Sequence, residues 1–487
     1  MMNVELRKEG NRGLEKAYFR GNTFQHNTGN SIKLFPFRTK GAEKCYDEFR
    51  LFHGVVGEAF RICTNQKFDK AFASDKEATF NTKLKTHILD KVIESVRTER
   101  KDELRDTVIN LFFGDDGELM KFNGKVLPYM NFTTEHAALN EMAFFITDVF
   151  LNKQEVIEAI ESNKAKDNLF YQLVVDCLPE HHSHDYESKH TPYFNAIPEI
   201  NELFEKDFSL LKKDNKAFLE DIENLFKYYY FFYMTQLSKR LNHFGELQEV
   251  QPVFFTMDWE SLSGSRLSYQ FGWNVIASEM QSIFAHANTV ELLNYIQLDD
   301  QTIGDYSGLI RKVGELNESE LDELKSKVKE IITFYESGNA TVFENGGRKE
   351  VDRRIDNAIN SDDSEIILLV KKLFTTVSFV LEKTGRITAG NRYADWIVSF
   401  CKVNFTKNRG RLGTTISLTQ EMLLFLVKLC VGEADKIRLN SLWTELEDRG
   451  LKFDEVSKTE IIRLFERINL LEKKSDSGDA QYVKSII

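Results

Sequence analysis

The chain has 487 residues, 42% hydrophobic and 29% charged, and a net charge of −12 from 64 basic against 76 acidic side chains. At about 100–200 residues per domain this length suggests two to four domains, and the apolar fraction excludes a chain disordered throughout. The acidic balance excludes a protein that coats nucleic acid over its whole surface, but net charge averages over faces and leaves a local basic patch open.

The opening stretch, 1–16, is charged and lacks the apolar centre of a signal peptide, and no apolar run reaches the roughly 18–20 residues of a membrane helix. The expectation is a cytoplasmic protein without membrane contact. A strand is expected over 31–38. Residues 83–113 read as one or two amphipathic helices stopped by the turn cluster Gly114-Asp115-Asp116-Gly117. Another helix is expected over 133–151, with Thr133 or Thr134 as N-cap. A long apolar helix follows over 219–244 and ends at Gly245. Within it, 226–233 is aromatic at seven of eight positions. Such rings stack on unpaired bases in some proteins, but in a helix they point in all directions, which favours core packing. A second strand is expected over 253–259, before a turn at 261–265. Leu321, Leu324, Val328 and Ile332 lie at three- and four-residue spacing in a helix over 319–337, with Gly338 as its stop. A helix over 364–383 repeats the plan, with Asp362 and Asp363 near its start.

Composition shifts after that helix. Residues 383–413 hold seven basic side chains (Lys383, Arg386, Arg392, Lys402, Lys407, Arg409, Arg411) against one acid, Asp395, a local +6 that leaves −18 for the rest. This reads as a solvated linker, as a basic face docking on the acidic body, or as a phosphate-contacting segment, since Lys and Arg on phosphates dominate nucleic-acid affinity. Beyond Gly413, Ser417-Leu-Thr-Gln420 opens an apolar helix over 419–431 and 437–439 forms a short strand. Asn440 caps a helix over 441–449, and Ser457-Lys-Thr-Glu460 starts a third over 458–469. The hairpin 470–474 and 480–487 completes a winged helix-turn-helix. On its third helix, Lys458, Thr459, Arg463 and Arg467 are candidate DNA contacts, the last three at four-residue intervals on one exposed face. Glu460, Glu466, Asp476 and Asp479 count against that reading and toward a protein-interaction module. The resulting expectation is a mainly α protein. It comprises an N-terminal helical domain (1–245), a middle helical domain with short strands (246–382), a basic linker (383–413) and the winged helix (414–487).

Catalytic signals are weak. The five cysteines (Cys45, Cys63, Cys177, Cys401, Cys430) form no CxxC pair, which fits reduced thiols. No phosphate loop, HExxH helix or GxSxG elbow occurs, so no cofactor is expected and any ATPase belongs to another subunit. His181, His182, His184 and His190 are four of the ten histidines, close enough in sequence to be candidate ligands for a metal that activates water. A polar interhelical loop after Pro179 accounts for the same residues.

Phe405-Thr-Lys-Asn-Arg-Gly-Arg-Leu-Gly413 and Lys474-Ser-Asp-Ser-Gly-Asp-Ala-Gln-Tyr-Val-Lys-Ser-Ile486 resemble the C-terminal end of the DptG (DndG) family. These are the G components of bacterial restriction that depends on DNA phosphorothioation. The resemblance implies an F subunit and a DNA-translocating ATPase H subunit as partners, acting together on double-stranded DNA that lacks the sulfur mark. It implies no catalytic residue here. The expected function is therefore a non-catalytic, DNA-contacting adaptor. A metal-dependent nuclease subunit using the histidine cluster and a winged-helix transcription regulator are the alternatives.

Overall fold

The computed structural model describes residues 2–8, 13–21, 23–26, 28–36, 42–74, 76–115, 117–132, 137–162, 168–186, 188, 190–473 and 481–486. It is 62% helical, with twenty-one α-helices among the described residues and only short strands. None of those helices is long and apolar enough to cross a membrane.

The axis of the molecule is the 28-residue helix Asn215–Asn242, started by the Asp214 carboxylate, which accepts the Ala217 N–H at 2.9 Å. Its first turns carry exposed charges such as Lys216 and Glu220, but from residue 228 to 238 every side chain is buried, so that half is stable only when surrounded. The aromatic run is accordingly buried throughout: Phe226, Tyr228, Tyr229, Tyr230, Phe231, Phe232 and Tyr233 are all core residues. Around the axis pack helices His53–Cys63, Pro198–Lys212, Trp273–Gln281, Ile283–Leu293, Ile387–Asn404 and Gln420–Val431. One hydrophobic cluster runs from Val4 to Val483 and includes residues of all four expected domains. A smaller cluster joins Phe80–Ser95, Lys101–Phe112 and Leu169–Asp176.

Most helices form where periodicity places them. The 83–113 stretch is two helices, Phe80–Ser95 and Lys101–Phe112. Glu318–Gly338 begins with a reciprocal cap between Asn317 and Glu320, and Glu365–Lys383 matches its expected bounds. The helix expected over 133–151 is Ala137–Val149, and Thr133 and Thr134 lie outside the described residues. The expected 31–38 strand is absent over its described residues, 31–36. The buried Glu291 carboxylate takes the N–H groups of Gly29, Ser31 and Ile32 (3.1, 2.8 and 3.4 Å), so a side chain satisfies donors that a strand would have paired. The 253–259 strand is split. Val253–Phe254 pairs in parallel with Leu451–Lys452, and Thr256–Met257 pairs in parallel with Thr414–Leu418.

The 383–413 segment is a correction: it is not a linker. It contains helix Ile387–Asn404, whose Tyr393, Ala394, Trp396, Ile397, Phe400 and Cys401 are buried at three- and four-residue spacing. A hairpin follows, Thr406–Asn408 antiparallel to Thr414–Leu418. Counting charge hid an amphipathic helix, whose cations sit on the face opposite its apolar stripe.

After the hairpin come helix Gln420–Val431, strand Lys436–Arg438, helices Leu439–Asp448 and Glu455–Arg467, and strands Leu471–Lys473 and Gln481–Lys484. Gln481–Lys484 lies between the other two strands, antiparallel to both. Asp454, not Ser457, caps the last helix, accepting the Ser457 N–H at 3.0 Å. The Arg449 side chain, wholly buried, fixes this unit to the body. Its Nε and Nη2 donate to Asp207 at 3.0 and 2.7 Å, and Tyr229 OH donates to the same carboxylate at 2.7 Å. Tyr228 OH donates to the Arg449 carbonyl at 2.5 Å.

Candidate nucleic-acid interface

The hairpin and the Glu455–Arg467 helix are held on one frame. The chain segment 253–260 supplies a parallel strand partner to the hairpin and another to Leu451–Lys452, just before that helix. Arg266 ties the frame together. It donates to Asp454 (2.6 and 3.0 Å), to Ser457 Oγ (2.7 Å) and to Glu260 (3.3 Å), and Ser268 Oγ adds a bond to Asp454 at 2.7 Å. Burial works to raise both carboxyls. It prevails at Glu260, whereas at Asp454 the bonds from Arg266, the Ser457 N–H and Ser268 outweigh it and hold the carboxyl below its ordinary range.

The candidate cations separate into two groups. Arg409 is spent on the protein: Nη2 donates to Met257 O at 2.6 Å, and Nη1 donates to Glu260 O at 2.7 Å and Asp258 O at 3.3 Å. Burial draws its pKa below the ordinary arginine value. This corrects its assignment as a phosphate contact, because a guanidinium committed to three carbonyls leaves little to offer a phosphate. Lys407 Nζ donates to Asp258 O from an exposed position, so it is partly committed. Lys402 and Arg411 are exposed, and neither side chain has a partner among the described residues.

On the last helix, Thr459, Arg463 and Arg467 are exposed and Lys458 is half-buried. Lys458 Nζ lies 3.0 Å from Glu455 and 5.9 Å from the Trp443 ring centre. Thr459 Oγ1 donates to the Glu455 carbonyl at 2.8 Å, and Arg463 pairs with Glu460 at 2.5 Å. Arg467 has no side-chain partner among the described residues. Lys473 reaches Glu466 at 2.5 Å. The face is mixed in charge, and such exposed pairs exchange partners at little cost, on the order of 0–1 kcal/mol. The expected wing tip, with Asp476 and Asp479, lies outside the described residues.

The histidines do not converge, which corrects the candidate metal site. Among the described residues no group of three or more His, Cys, Asp or Glu is placed to hold a metal. His181 packs against Phe68 and Tyr129, and burial lowers its pKa to about 4. His182 bonds Asp69 at 2.9 Å. His184 lies edge-on to Tyr186, and His190 bonds Asp148 at 2.6 Å while stacked on Phe144. Strand His182–Ser183 pairs with Gln66–Lys67, and extended backbone there sends His182 away from its neighbour His181. His184, which alternation alone would return to the His182 side, is instead taken up by Tyr186. All five cysteines are buried, and burial pushes the Cys63 and Cys430 thiols up to about 12.

Sequence reading missed Arg266, Asp454 and the Arg449–Asp207 pair. Their partners come from distant parts of the chain, so no local pattern marks them. No protein-family model matches the chain, and no curated protein matches it.

Proposed function

We propose that the chain is a non-catalytic adaptor of a bacterial, cytoplasmic phosphorothioation-dependent restriction complex. In this reading it bridges an F subunit and an ATPase H subunit and touches double-stranded DNA that lacks the sulfur mark. The resemblance of residues 405–486 to the DptG (DndG) family supplies the system. The observation that carries the chain's own part is the frame itself: Lys402 and Arg411 beside the hairpin, and Arg463 and Arg467 on the last helix, project from elements locked to each other and to the body. Apart from Thr414–Leu418 and Leu451–Lys452, which pair with the body, the order is helix, strand, helix, helix, strand, strand, and the last strand is in the middle of the sheet, which supports reading 414–487 as a winged helix. Because the face carries acids as well as arginines, phosphate contact rather than base readout suits it.

The test is a salt titration of DNA binding by the assembled complex, with Lys402, Arg411, Arg463 and Arg467 all changed to Ala. Affinity should fall equally on unrelated duplexes, and the salt slope should flatten by up to about 0.9 for each phosphate that is no longer neutralised. Wild-type affinity and slope with loss of a partner subunit would make these elements a protein-docking surface instead.

A further inference from the structure

The chain has four tryptophans, and three are packed. Trp396 and Trp273 are buried, and Trp443 lies against the core and Phe453. Trp259 differs. It is 38% exposed, joins no hydrophobic cluster, and makes no ring contact or hydrogen bond through its indole among the described residues. More than a third of the Trp259 surface stays in water, and the backbone that carries it is pinned on both sides. Arg409 bonds the carbonyls of residues 257, 258 and 260, and Lys407 bonds that of Asp258. The Asp258 N–H donates to Leu418 O at 2.9 Å, and the Glu260 carboxylate accepts the Met257 N–H at 2.9 Å. A large, partly exposed aromatic side chain therefore stands on a loop whose freedom has already been removed. Preorganisation of that kind lowers the entropy cost of binding rather than that of folding.

Its surroundings indicate the ligand. Lys407 is held against the loop by its bond to the Asp258 carbonyl, and the exposed Arg411 follows two residues beyond Arg409 on the same hairpin. Aromatic faces beside cations are what proteins use to hold unpaired nucleic-acid bases, the rings stacking on bases while the cations track phosphates. We propose that Trp259 is a stacking platform for an unpaired DNA base, with Lys407 and Arg411 on the adjoining phosphates, so that this face engages locally opened DNA. The inference rests on the DNA-contact reading above and adds to it a preference for single-stranded segments.

The test uses the full chain with an oligothymidylate of about 16 nucleotides and a duplex of equal length. The single strand should quench part of the intrinsic tryptophan emission, and Trp259→Phe should remove most of that quenching, because Trp273 and Trp396 are buried and the half-buried Trp443 lies against Phe453. Trp259→Ala should weaken single-strand binding about tenfold or more. It should leave duplex affinity and both salt slopes unchanged, since no charge is removed. Unchanged single-strand affinity in Trp259→Ala, with duplex binding intact, overturns the stacking inference and leaves the DNA reading standing. Absence of binding to either form, by the chain and by the assembled complex, overturns both. Intact single-strand affinity with loss of a partner subunit makes Trp259 a protein anchor and likewise overturns the proposal.

Discussion

Changing Asp207 to Ala tests how the C-terminal unit is attached. Both partners of the Asp207–Arg449 pair are essentially inaccessible to water, with side-chain exposures of 1% and 0%. Removing the carboxylate deletes two charge-assisted bonds and the acceptor for Tyr229 OH, and leaves a buried guanidinium with Glu445 as its remaining acidic partner (2.8 Å). Breaking a buried pair from one side costs about 3–5 kcal/mol, because the surviving charge cannot regain water without opening the structure. At about 1.4 kcal/mol per factor of ten, the population of locally opened molecules should rise from about a hundredfold to a few thousandfold. Amide hydrogen exchange reads that population directly. Faster exchange is expected in Leu439–Asp448, Glu455–Arg467 and Gln481–Lys484, which this junction holds to the body together with the Arg266–Asp454 bonds. Replacing both partners together, Asp207→Leu with Arg449→Met, should recover most of the stability, since no unpaired charge remains. Unchanged exchange across 439–484 in Asp207→Ala would refute the reasoning and return the unit to the status of a tethered module.

Gly450 has φ +82°, and a Cβ there would lie 2.4 Å from Phe232 Cε2, so Gly450→Ala should cost about 2–4 kcal/mol, whereas an unchanged melting temperature would contradict the close packing. Arg409→Ala should cost about 1–3 kcal/mol by stripping donors from the 257–260 carbonyls, while Arg411→Ala stays within about 0.5 kcal/mol; equal stabilities in thermal melts would show that Arg409 is not structural. His286 is buried and stacked on Phe374, and burial lowers its pKa to about 3 from an unfolded value near 6.5. The unfolded chain therefore binds the extra proton, so this contribution is complete above about pH 6.5 and is lost as pH falls toward 3, about 2 kcal/mol of it by pH 5. His26 and His181, lowered to about 4 by burial, act in the same direction. A melting temperature that stays flat from pH 7 to 5 would argue against neutral burial of these rings.

Local signals told much of the fold. The spacing of Leu321, Leu324, Val328 and Ile332 marks a helix that the structure forms as Glu318–Gly338, and the all-round aromatic run marks the core axis because no helix can expose so many rings. The site was only partly legible. A count of +6 over 383–413 is true as arithmetic, but it averages across Trp396 and Phe400, which are buried, and Arg409, which bonds carbonyls about 150 residues earlier. Sequence proximity misled at His181, His182 and His184, where each ring is taken by a different partner: Phe68 and Tyr129, Asp69, and Tyr186. Asp207 and Arg449 are 242 residues apart, and nothing in either neighbourhood announces the other.

The adaptor reading is tested most directly by co-purification of this chain with the F subunit and the ATPase H subunit of its own system. The account predicts a stable assembly with a fixed subunit ratio, whose affinity for unmodified duplex DNA falls when this chain is omitted. A chain that elutes alone in the presence of both subunits, and whose omission leaves their DNA binding unchanged, would contradict it.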